Sequence, residues 1–336
     1  MSAANVAVEF EGKRVLVTGG LGFIGSNLAR ELVTAGADVL LVDSLAPTYG
    51  GTLYNIDGIE DRVQVSVTDI RDRSALPHLL RDRDVVFNLA GQTSHLDSMR
   101  DPFSDLEINC QSQLALLEAC RRHNPEAIIV FAGTRQVYGR PQYLPVDERH
   151  PVVPVDVNGI NKAAGEWYHL LYAQVYGLRV SVLRLTNTYG PRMRVRDARQ
   201  TFLGKWLRAL VTGEELIVFG DGTQRRDFTY VDDAVHAFLL AARSDAARAE
   251  VFNLGDERVV SLLELAQLLI EINGGGTFRR EPFPPERLAI DIGDYYGDFR
   301  KATERLGWRP SVALEDGLRR SLAFYREHGR HYWDHA

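Results

Sequence analysis

The chain has 336 residues, of which 45% are hydrophobic and 25% are charged, a composition typical of a globular protein. Its formal net charge of −6 at pH 7 argues against nucleic-acid binding, which requires a basic face. No apolar run is long enough to span a membrane, and residues 1–10 lack the apolar core of a secretion signal.

The two cysteines, Cys110 and Cys120, fall within one predicted helix, where they are poorly placed to form a disulfide bond. No group of side chains has the spacing of metal ligands. We therefore expect a cytoplasmic protein with no metal site and no membrane or nucleic-acid partner.

The first predicted strand, 14–18, leads into a glycine-rich turn and an amphipathic helix. Gly19 allows a tight exit from the strand, and Gly22 lets the backbone approach a pyrophosphate closely. Gly25 lets the helix pack against the sheet, with its N-terminal amides facing the phosphates. A glycine triplet between an apolar strand and a helix predicts a dinucleotide-binding turn.

The second predicted strand, 38–43, ends in Asp43, at the distance from the glycine turn that is typical of a ribose-binding acid. A carboxylate at this position accepts hydrogen bonds from both ribose hydroxyls and repels a 2′-phosphate. The sequence therefore predicts NAD rather than NADP.

The rest of the chain divides into two patterns. Apolar strands and helices alternate as far as about residue 184, which predicts a parallel sheet covered on both faces. The remaining predicted strands of this part are 63–67, 84–89, 127–132 and 178–184. Beyond residue 184 the chain is richer in loops and arginine, and its predicted elements are helices at 199–212, 230–243 and 261–273 and a strand at 216–219.

We therefore expect a Rossmann-type, doubly wound α/β fold with a smaller C-terminal α/β substrate lobe. The NAD-binding domain is predicted at 13–185 plus about 227–250, and the lobe at 186–226 and 251–330. Two long helical patterns, 103–123 and 157–177, have apolar faces wide enough for more than one packing partner. They predict a homodimer, and burial within the monomer is the alternative.

Motifs along the chain resemble those of the extended short-chain dehydrogenases/reductases, and more narrowly those of the NAD-dependent nucleotide-sugar epimerase/dehydratase family. They are Thr18–Gly25, Asp43, Asp69-Ile70, Asn88–Gly91, Asn109, Val137-Tyr138-Gly139, Lys162, Arg184–Pro191 and Phe219–Phe228. The resemblance covers about residues 13–325, and segments 90–92 and 105–109 resemble the CDP-tyvelose 2-epimerase branch. It implies an epimerase that acts by transient hydride abstraction to a keto-sugar.

The resemblance also implies where NAD binds. The loop around Phe23 and Ile24 would contact the pyrophosphate, and Asp43 would bind the adenosine ribose. The remaining cofactor positions are Asp69 and Ile70 at the adenine, Leu89, Ala90 and Gly91 along the cofactor, and Lys162 at the nicotinamide ribose.

The catalytic set of the family is a serine or threonine followed by a tyrosine and a lysine in the form YxxxK. Thr134 and Lys162 match two members of this set, but Asn158 stands at the tyrosine position. A carboxamide does not titrate near neutral pH and cannot replace a phenolate base, although Asn158 could still hydrogen-bond the substrate.

Three explanations of the missing tyrosine stay open. The reaction needs no strong base, or the protein binds NAD and a sugar nucleotide without turnover, or another group supplies the base. The candidates for that group are Tyr138, His95, Asp97, Tyr189 and a water held by Thr134. His95 lies in the predicted loop after the fourth strand, and imidazole titrates closest to neutral pH.

The residues after Thr134 bear on the net reaction. Dehydratases of the family usually carry an Asp-Glu pair there, whereas this chain has Arg135 and Gln136, which disfavours dehydration. Decarboxylation and simple reduction remain open alternatives to epimerisation.

The resemblance implies a substrate-binding set as well. Its members are Arg226 at the diphosphate, Asn187 and Phe219 at the diphosphate and base, Asp294 at the nucleoside ribose, and Gln92. Asp291 stands where the family often has a phosphate-binding arginine, so its charge is reversed. The candidate replacements are Arg287, Arg192, Arg194 and Arg196.

Overall fold

The computed structural model describes residues 9–197 and 201–333. The strands are β1 (Arg14–Thr18), β2 (Asp38–Asp43), β3 (Val63–Val67), β4 (Val85–Asn88), β5 (Ile128–Thr134), β6 (Arg179–Leu185), β7 (Asn187–Tyr189), β8 (Leu216–Phe219), β9 (Arg225–Tyr230), β10 (Glu250–Asn253), β11 (Val259–Ser261) and β12 (Phe278–Glu281).

The helices are α1 (Phe23–Thr34), α2 (Leu76–Leu80), α3 (His95–Arg100), α4 (Pro102–Leu106), α5 (Ser112–His123), α6 (Val157–Tyr176), α7 (Phe202–Thr212), α8 (Val231–Arg243), α9 (Leu262–Asn273), α10 (Pro285–Ala289), α11 (Arg300–Leu306), α12 (Leu314–His328) and α13 (Arg330–Trp333). A π-helical turn, Glu107–Gln111, joins α4 to α5. No helix in these described ranges is long and apolar enough to cross a membrane.

The large sheet has seven strands in the order β10-β6-β5-β4-β1-β2-β3, and every neighbouring pair is parallel. Successive side chains of a strand point to opposite faces, so β1 contributes to two separate cores. Val15 and Val17 pack into the core on the α1 and α8 side, while Leu16 packs into the core formed with α5 and α6. This arrangement confirms the predicted Rossmann-type fold.

The six strands predicted for this sheet are all present, and β10 is the seventh. Because β10 pairs with β6, residues 251–253 belong to the large sheet, although the sequence places them in the small lobe. The structure also corrects the loop expected around His95, which begins helix α3, and it adds helix α12, which the sequence analysis did not predict. Of the helix predicted at 199–212, residues 199–200 lie outside the described residues.

The smaller part of the structure covers the carboxyl ends of the large sheet. It contains a three-stranded sheet in the order β11-β9-β7 and a two-stranded sheet formed by β12 and β8. The cleft between these sheets and the large sheet is the place where open α/β folds bind their ligands.

Candidate active site

A cleft of about 820 Å³ opens at the carboxyl ends of the parallel strands. One side is lined by the glycine turn after β1, by Asp43 and by the residues that follow β4. The other side is lined by residues of the smaller part, among them Phe219, Arg226 and Arg287. The two sides meet at Thr134, Asn158 and Lys162.

The glycine turn forms a cradle with no side chains in it. Gly19 has a φ of +67°, and a Cβ atom there would lie 3.1 Å from the backbone of Ala90. A Cβ atom on Gly25 would overlap the carbonyl oxygen of Gly19. Helix α1 begins after Gly22 without a side-chain cap, so its first amides remain available for phosphate oxygens. This arrangement fits a dinucleotide.

Asp43 lies at the end of β2, beside the cradle. Its carboxylate accepts hydrogen bonds from the amides of Leu21 at 3.1 Å and Leu45 at 2.9 Å. Burial raises the pKa of Asp43, and these hydrogen bonds oppose that effect by stabilising the ionised form. The carboxylate is therefore held at the edge of the cleft in a defined orientation.

The other predicted cofactor residues also line the cleft. Phe23 and Ile24 lie at the start of α1, Ile70 is buried, and Leu89, Ala90 and Gly91 follow β4. Asp69 lines the cleft too, with its carboxylate paired to the guanidinium of Arg71 at 2.7 Å. The structure thus brings every sequence-predicted cofactor residue to one side of one cleft.

Lys162 is buried beneath this side of the cleft. Its Nζ donates to the carbonyl oxygen of Ala132 at 3.3 Å and lies 5.2 Å from the ring centroid of Phe131. A Cβ atom on Gly91 would stand 2.7 Å from Nζ, so glycine at 91 leaves the ammonium accessible. Burial lowers the pKa of Lys162 to about 8, while Asp105 acts in the opposite direction.

Asn158 is 2% exposed, and its side-chain amide has internal partners. Nδ2 donates to the carbonyl oxygen of Gln92 at 2.8 Å and to Oδ2 of Asp105 at 3.0 Å. The fully buried Asp105 carboxylate also accepts from Asn109 at 3.0 Å and from Asn161 at 2.8 Å. The position of the family tyrosine is therefore part of an internal amide–carboxylate cluster.

Two tyrosines proposed as substitute bases do not reach the cleft. Tyr138 is fully buried, donates to Oδ1 of Asn253 at 2.6 Å and accepts from Arg184 at 2.6 Å. Burial raises the pKa of Tyr138 to about 12. Tyr189 is also fully buried and donates to the carbonyl oxygen of Leu314, and burial raises its pKa well above the usual value. Neither tyrosine can therefore act as the base, because both hydroxyls are engaged in hydrogen bonds inside the core.

His95 does line the cleft, at the start of α3. Its Nδ1 lies 3.0 Å from Oδ2 of the buried Asp156, whereas the imidazole itself is 37% exposed. Asp156 accepts from the amide of Gly159 at 2.6 Å and from Nε2 of Gln136 at 2.7 Å. Burial alone would raise the pKa of Asp156, but the contact with His95 and these hydrogen bonds lower it. His95 and the Asp156 carboxylate are therefore within ion-pair distance, but Nδ1 of His95 is not aligned for a hydrogen bond to it.

The last two candidates for the base are Asp97 and a water held by Thr134. Asp97 lines the cleft, and so does Thr134, whose Oγ1 accepts from the amide of Gln136 at 3.2 Å.

The predicted substrate residues are divided by the structure. Phe219 lines the cleft, with the guanidinium carbon of Arg287 5.6 Å from its ring centroid, and the buried Gln92 donates to the carbonyl oxygen of Ser94 at 2.8 Å. Asp294 is not among the residues lining this cleft in the described chain, and it accepts from the amide of Arg225 at 2.8 Å.

Asp291, at the position where the family often has arginine, lines the cleft and accepts from Nε2 of Gln224 at 2.9 Å. Of its candidate replacements, Arg287 lines the cleft. In contrast, Arg192 donates to Asn27 at 2.9 Å and Arg194 donates to Asp197 at 2.7 Å.

Arg226 is 6% exposed and donates to the carbonyl oxygen of Arg225 at 2.9 Å. Arg135 lies near it and donates from Nη2 to Oδ1 of Asn187 at 3.0 Å. Burial and, to a lesser extent, the charge of Arg135 lower the pKa of Arg226 to about 10. Sequence reasoning assigned no role to Arg135, because its partners lie far along the chain and no motif signals them.

The match to known proteins agrees with this geometry. The model of the NAD dependent epimerase/dehydratase family matches residues 15–255, and the chain belongs to this family. It is thus an enzyme of the NAD-dependent nucleotide-sugar epimerase/dehydratase type, and its cofactor is NAD. Within the described ranges, no three histidine, cysteine, aspartate or glutamate side chains are grouped so that they could hold a metal ion.

Three similar proteins illustrate the relationship. A putative UDP-glucose 4-epimerase of Methanocaldococcus jannaschii is 33% identical, with 94% of this chain and 99% of that protein aligned. A Thermotoga maritima UDP-glucose 4-epimerase structure with UDP-glucose has a TM-score of 0.84 at 33% identity and covers 94% and 99% of the two chains. The Thermus thermophilus UDP-glucose 4-epimerase complex with NAD has a TM-score of 0.83 at 30% identity and covers 93% and 99%.

Proposed function

We propose that this protein is an NAD-dependent epimerase of a nucleotide sugar. The observation that carries the proposal is the single cleft in which a dinucleotide cradle faces a wall containing Arg226. The glycine cradle suits the pyrophosphate of NAD, and Arg226 on the opposite side suits a sugar diphosphate. Thr134, Lys162 and His95 line the same cleft. The likeness to a UDP-glucose 4-epimerase structure with bound UDP-glucose supports the same substrate class.

We assign NAD binding to the large-sheet part, 13–185 with about 227–250, extended by the last residues of β10. The rest of the predicted lobe, 186–226 and 254–330, would bind the nucleotide sugar. The amides around Phe23 would hold the pyrophosphate, Asp43 the adenosine ribose and Lys162 the nicotinamide ribose. When bound, NAD supplies a reversible acceptor for hydride from a sugar carbon.

We assign the role of general base to His95. Its imidazole would take the proton of the sugar hydroxyl and return it later, and the Asp156 carboxylate would orient the ring and stabilise the imidazolium. Tyr138 and Tyr189 are buried away from the cleft, and the amide of Asn158 does not titrate. Thr134 would hydrogen-bond the same hydroxyl from the end of β5.

Epimerisation is favoured over dehydration by the surroundings of Thr134. Dehydratases of the family usually carry an Asp-Glu pair directly after this threonine. Here the Gln136 side chain occupies that stretch and donates to Asp156 at 2.7 Å.

A second candidate, a protein that binds NAD and a sugar nucleotide without turnover, is favoured by Asn158. Its amide is engaged by Gln92 and Asp105, so the position of the family tyrosine offers no titratable group. The two candidates differ in whether a hydride leaves the bound sugar.

The test is to incubate NAD-loaded protein with UDP-, dTDP-, CDP- and GDP-sugars and to identify products by NMR while following nicotinamide absorbance. We expect an inverted sugar carbon with at least one substrate. His95→Gln should lower kcat by about 10²–10⁴-fold, whereas His123→Gln, an exposed residue at the end of α5, should not. A dehydrated, decarboxylated or reduced product would replace the epimerase assignment, and binding without product or absorbance change would favour the silent protein.

We also propose that the protein is a homodimer through α6 and the helical segment 103–123. Ile160, Trp167, Leu171 and Val175 of α6 are 54%, 57%, 47% and 61% exposed. Their spacings of seven, four and four residues place them in one stripe along the helix. Phe103, which is 75% exposed, begins the adjacent segment. An apolar stripe of this kind is typical of a surface that a second copy covers.

A further inference from the structure

We propose that Arg135 and Arg226 form a two-guanidinium clamp for the diphosphate of the nucleotide sugar. Arg135 then supplies the positive charge that Asp291 removes from its own position in the cleft. The inference rests on the proposed function, because it specifies how the same cleft holds its substrate.

The first observation is that Arg135 has unused hydrogen-bonding capacity at the cleft. Its Nη2 donates to Asn187, but its buried Nη1 has no hydrogen-bond partner. The guanidinium carbon lies 5.0 Å from the ring centroid of Tyr295, which supports one face of the group. A buried N–H without a partner is costly, so this atom is suited to a ligand oxygen.

The second observation is that the two arginines have no direct carboxylate partner, although Asp227 and Asp291 lie near enough to act on both guanidinium groups. Neither Arg135 nor Arg226 forms an ion pair with a carboxylate of the residues described by the structure. Their side chains donate hydrogen bonds only to neutral oxygens. The nearby Asp227 carboxylate accepts from Oγ1 of Thr186 and, at 3.0 Å, from the amide of Gly297. Two neighbouring guanidinium groups, one buried and one partly buried, that hydrogen-bond only neutral oxygens favour the binding of an anion between them.

The third observation places this anion on the lobe side of the cleft. Tyr295, which supports Arg135, forms a backbone bridge with Arg226 on β9. Asn187, which positions Arg135, lies on β7, and its Nδ2 donates to the carbonyl oxygen of Asp227 on β9 at 2.9 Å. Both guanidinium groups are therefore held by the three-stranded sheet. A sugar diphosphate carries charge on two adjacent phosphates. It therefore suits two neighbouring guanidinium groups, each of which can donate two parallel hydrogen bonds.

A carboxylate on the sugar ring is the other anion that this chemistry could bind. The sheet-side position of Arg135 favours the diphosphate, because the reacting sugar must lie toward Lys162 and His95. Asn187 then serves as a positioning residue, since its oxygen is already engaged by Arg135.

The experiment is calorimetric titration of the NAD-loaded full chain with UDP, UDP-glucose, UDP-glucuronate and uridine, repeated with the nucleoside diphosphate that binds best if it is not UDP. We expect Arg135→Gln to weaken all diphosphate ligands about equally, by roughly 10–100-fold, and to leave uridine unchanged. Arg135→Lys should recover only part of the loss, because an ammonium has no fork. Arg100→Gln is the control, since Arg100 lines the same cleft but pairs with Glu286 at 3.6 Å.

Each outcome decides the matter. A loss confined to UDP-glucuronate would assign Arg135 to a sugar carboxylate and overturn the clamp. Unchanged affinity for every ligand in Arg135→Gln, or no diphosphate binding by the wild-type protein, would overturn it as well. Arg135→Gln could also lower the melting temperature while Arg135→Lys restores both stability and full affinity. That result would show that only a positive charge is needed at 135, and it would overturn the two-guanidinium clamp. Binding as expected without any sugar conversion would leave the clamp standing and remove the epimerase proposal.

Discussion

Asn158 donates its side-chain amide to Oδ2 of the buried Asp105 carboxylate over 3.0 Å. The same carboxylate is held by Asn109 and Asn161, so three amides share one buried negative charge. A carboxylate without water needs such donors, because leaving it unpaired costs several kcal/mol, on the order of 3–5. The residue at the tyrosine position thus has a structural task that a phenol at that position would not perform in the same way.

Asn158→Asp should make the stability of the protein depend on pH. The new carboxylate lies against Asp105, so one of the two acids has a raised pKa in the folded state. The stability is then retained below the unfolded value of about 4 and lost as the pH rises above it, by roughly 2–4 kcal/mol. Urea unfolding between pH 4 and pH 8 measures this. Asn158→Leu, of similar size but uncharged, should lose a constant amount, and parallel curves for the two variants would contradict the assignment.

Lys162→Met should stabilise the NAD-free protein at neutral pH. The pKa of Lys162 is lowered to about 8 in the folded state, below its usual 10.5, so the unfolded chain binds the proton more tightly. The wild-type protein therefore gains stability as the pH rises from 8 to 10.5, and below pH 8 the buried ammonium is a constant cost. We expect a gain of about 1–3 kcal/mol at pH 7 that shrinks above pH 8. Denaturant unfolding against pH is the measurement.

The control for that experiment is Lys13→Met, because Lys13 is exposed. The same Lys162→Met variant should bind NAD more weakly if its ammonium contacts the nicotinamide ribose. Unchanged NAD affinity would remove Lys162 from the cofactor site without affecting the stability argument.

Asp43→Ala should weaken NAD binding by roughly 10–100-fold, because the ribose hydroxyls lose their hydrogen bonds to a charged acceptor. Loss of the carboxylate also frees the amides of Leu21 and Leu45, so a melting temperature is recorded alongside the affinity. Asp38→Ala, at the exposed start of the same strand, should bind NAD as the wild-type protein does. Equal affinities for the two variants would refute the ribose assignment.

Tyr138→Phe should retain catalysis and lose stability. The phenol hydroxyl links Asn253 to Arg184 in the core, and its removal leaves Oδ1 of Asn253 and Nη1 of Arg184 without their hydrogen-bond partner. We expect unfolding to become easier by about 1–3 kcal/mol. A kcat reduced by a hundredfold or more in a folded variant would restore Tyr138 as a candidate base.

Trp167→Glu should dissociate the proposed dimer. A charge placed in the middle of the apolar stripe of α6 would be buried in the interface without a partner. Light scattering after size-exclusion chromatography measures the mass. Leu53→Glu is the matched control, because Leu53 is 56% exposed but lies away from α6. A wild-type monomer, or a dimer that survives Trp167→Glu, would count against this interface.

The sequence was a good guide wherever the determining contacts are local. The strands predicted at 14–18 and 38–43 match the structure because buried parallel strands are continuous apolar runs. The edge strand at 63–67 matches as well, although it alternates valine with polar residues. His95 was harder, because a six-residue helix capped by Ser94 has too short a pattern to be distinguished from a loop. The sequence analysis places residues 251–253 in the lobe rather than the large sheet, because the pairing of a strand is not encoded in the strand itself.

By itself, the sequence determined the glycine cradle, the acid at the end of β2 and the family to which the chain belongs. These depend on backbone geometry within a few residues, which the local residue types dictate. Only the tertiary structure decided the hydrogen-bond partners of Asn158, Tyr138 and Arg135, because these partners are 53, 115 and 52 residues away. A polar side chain in a core is defined by the donors and acceptors that folding brings to it, and folding brought Asn158 to Asp105 and Arg135 to the wall of the cleft.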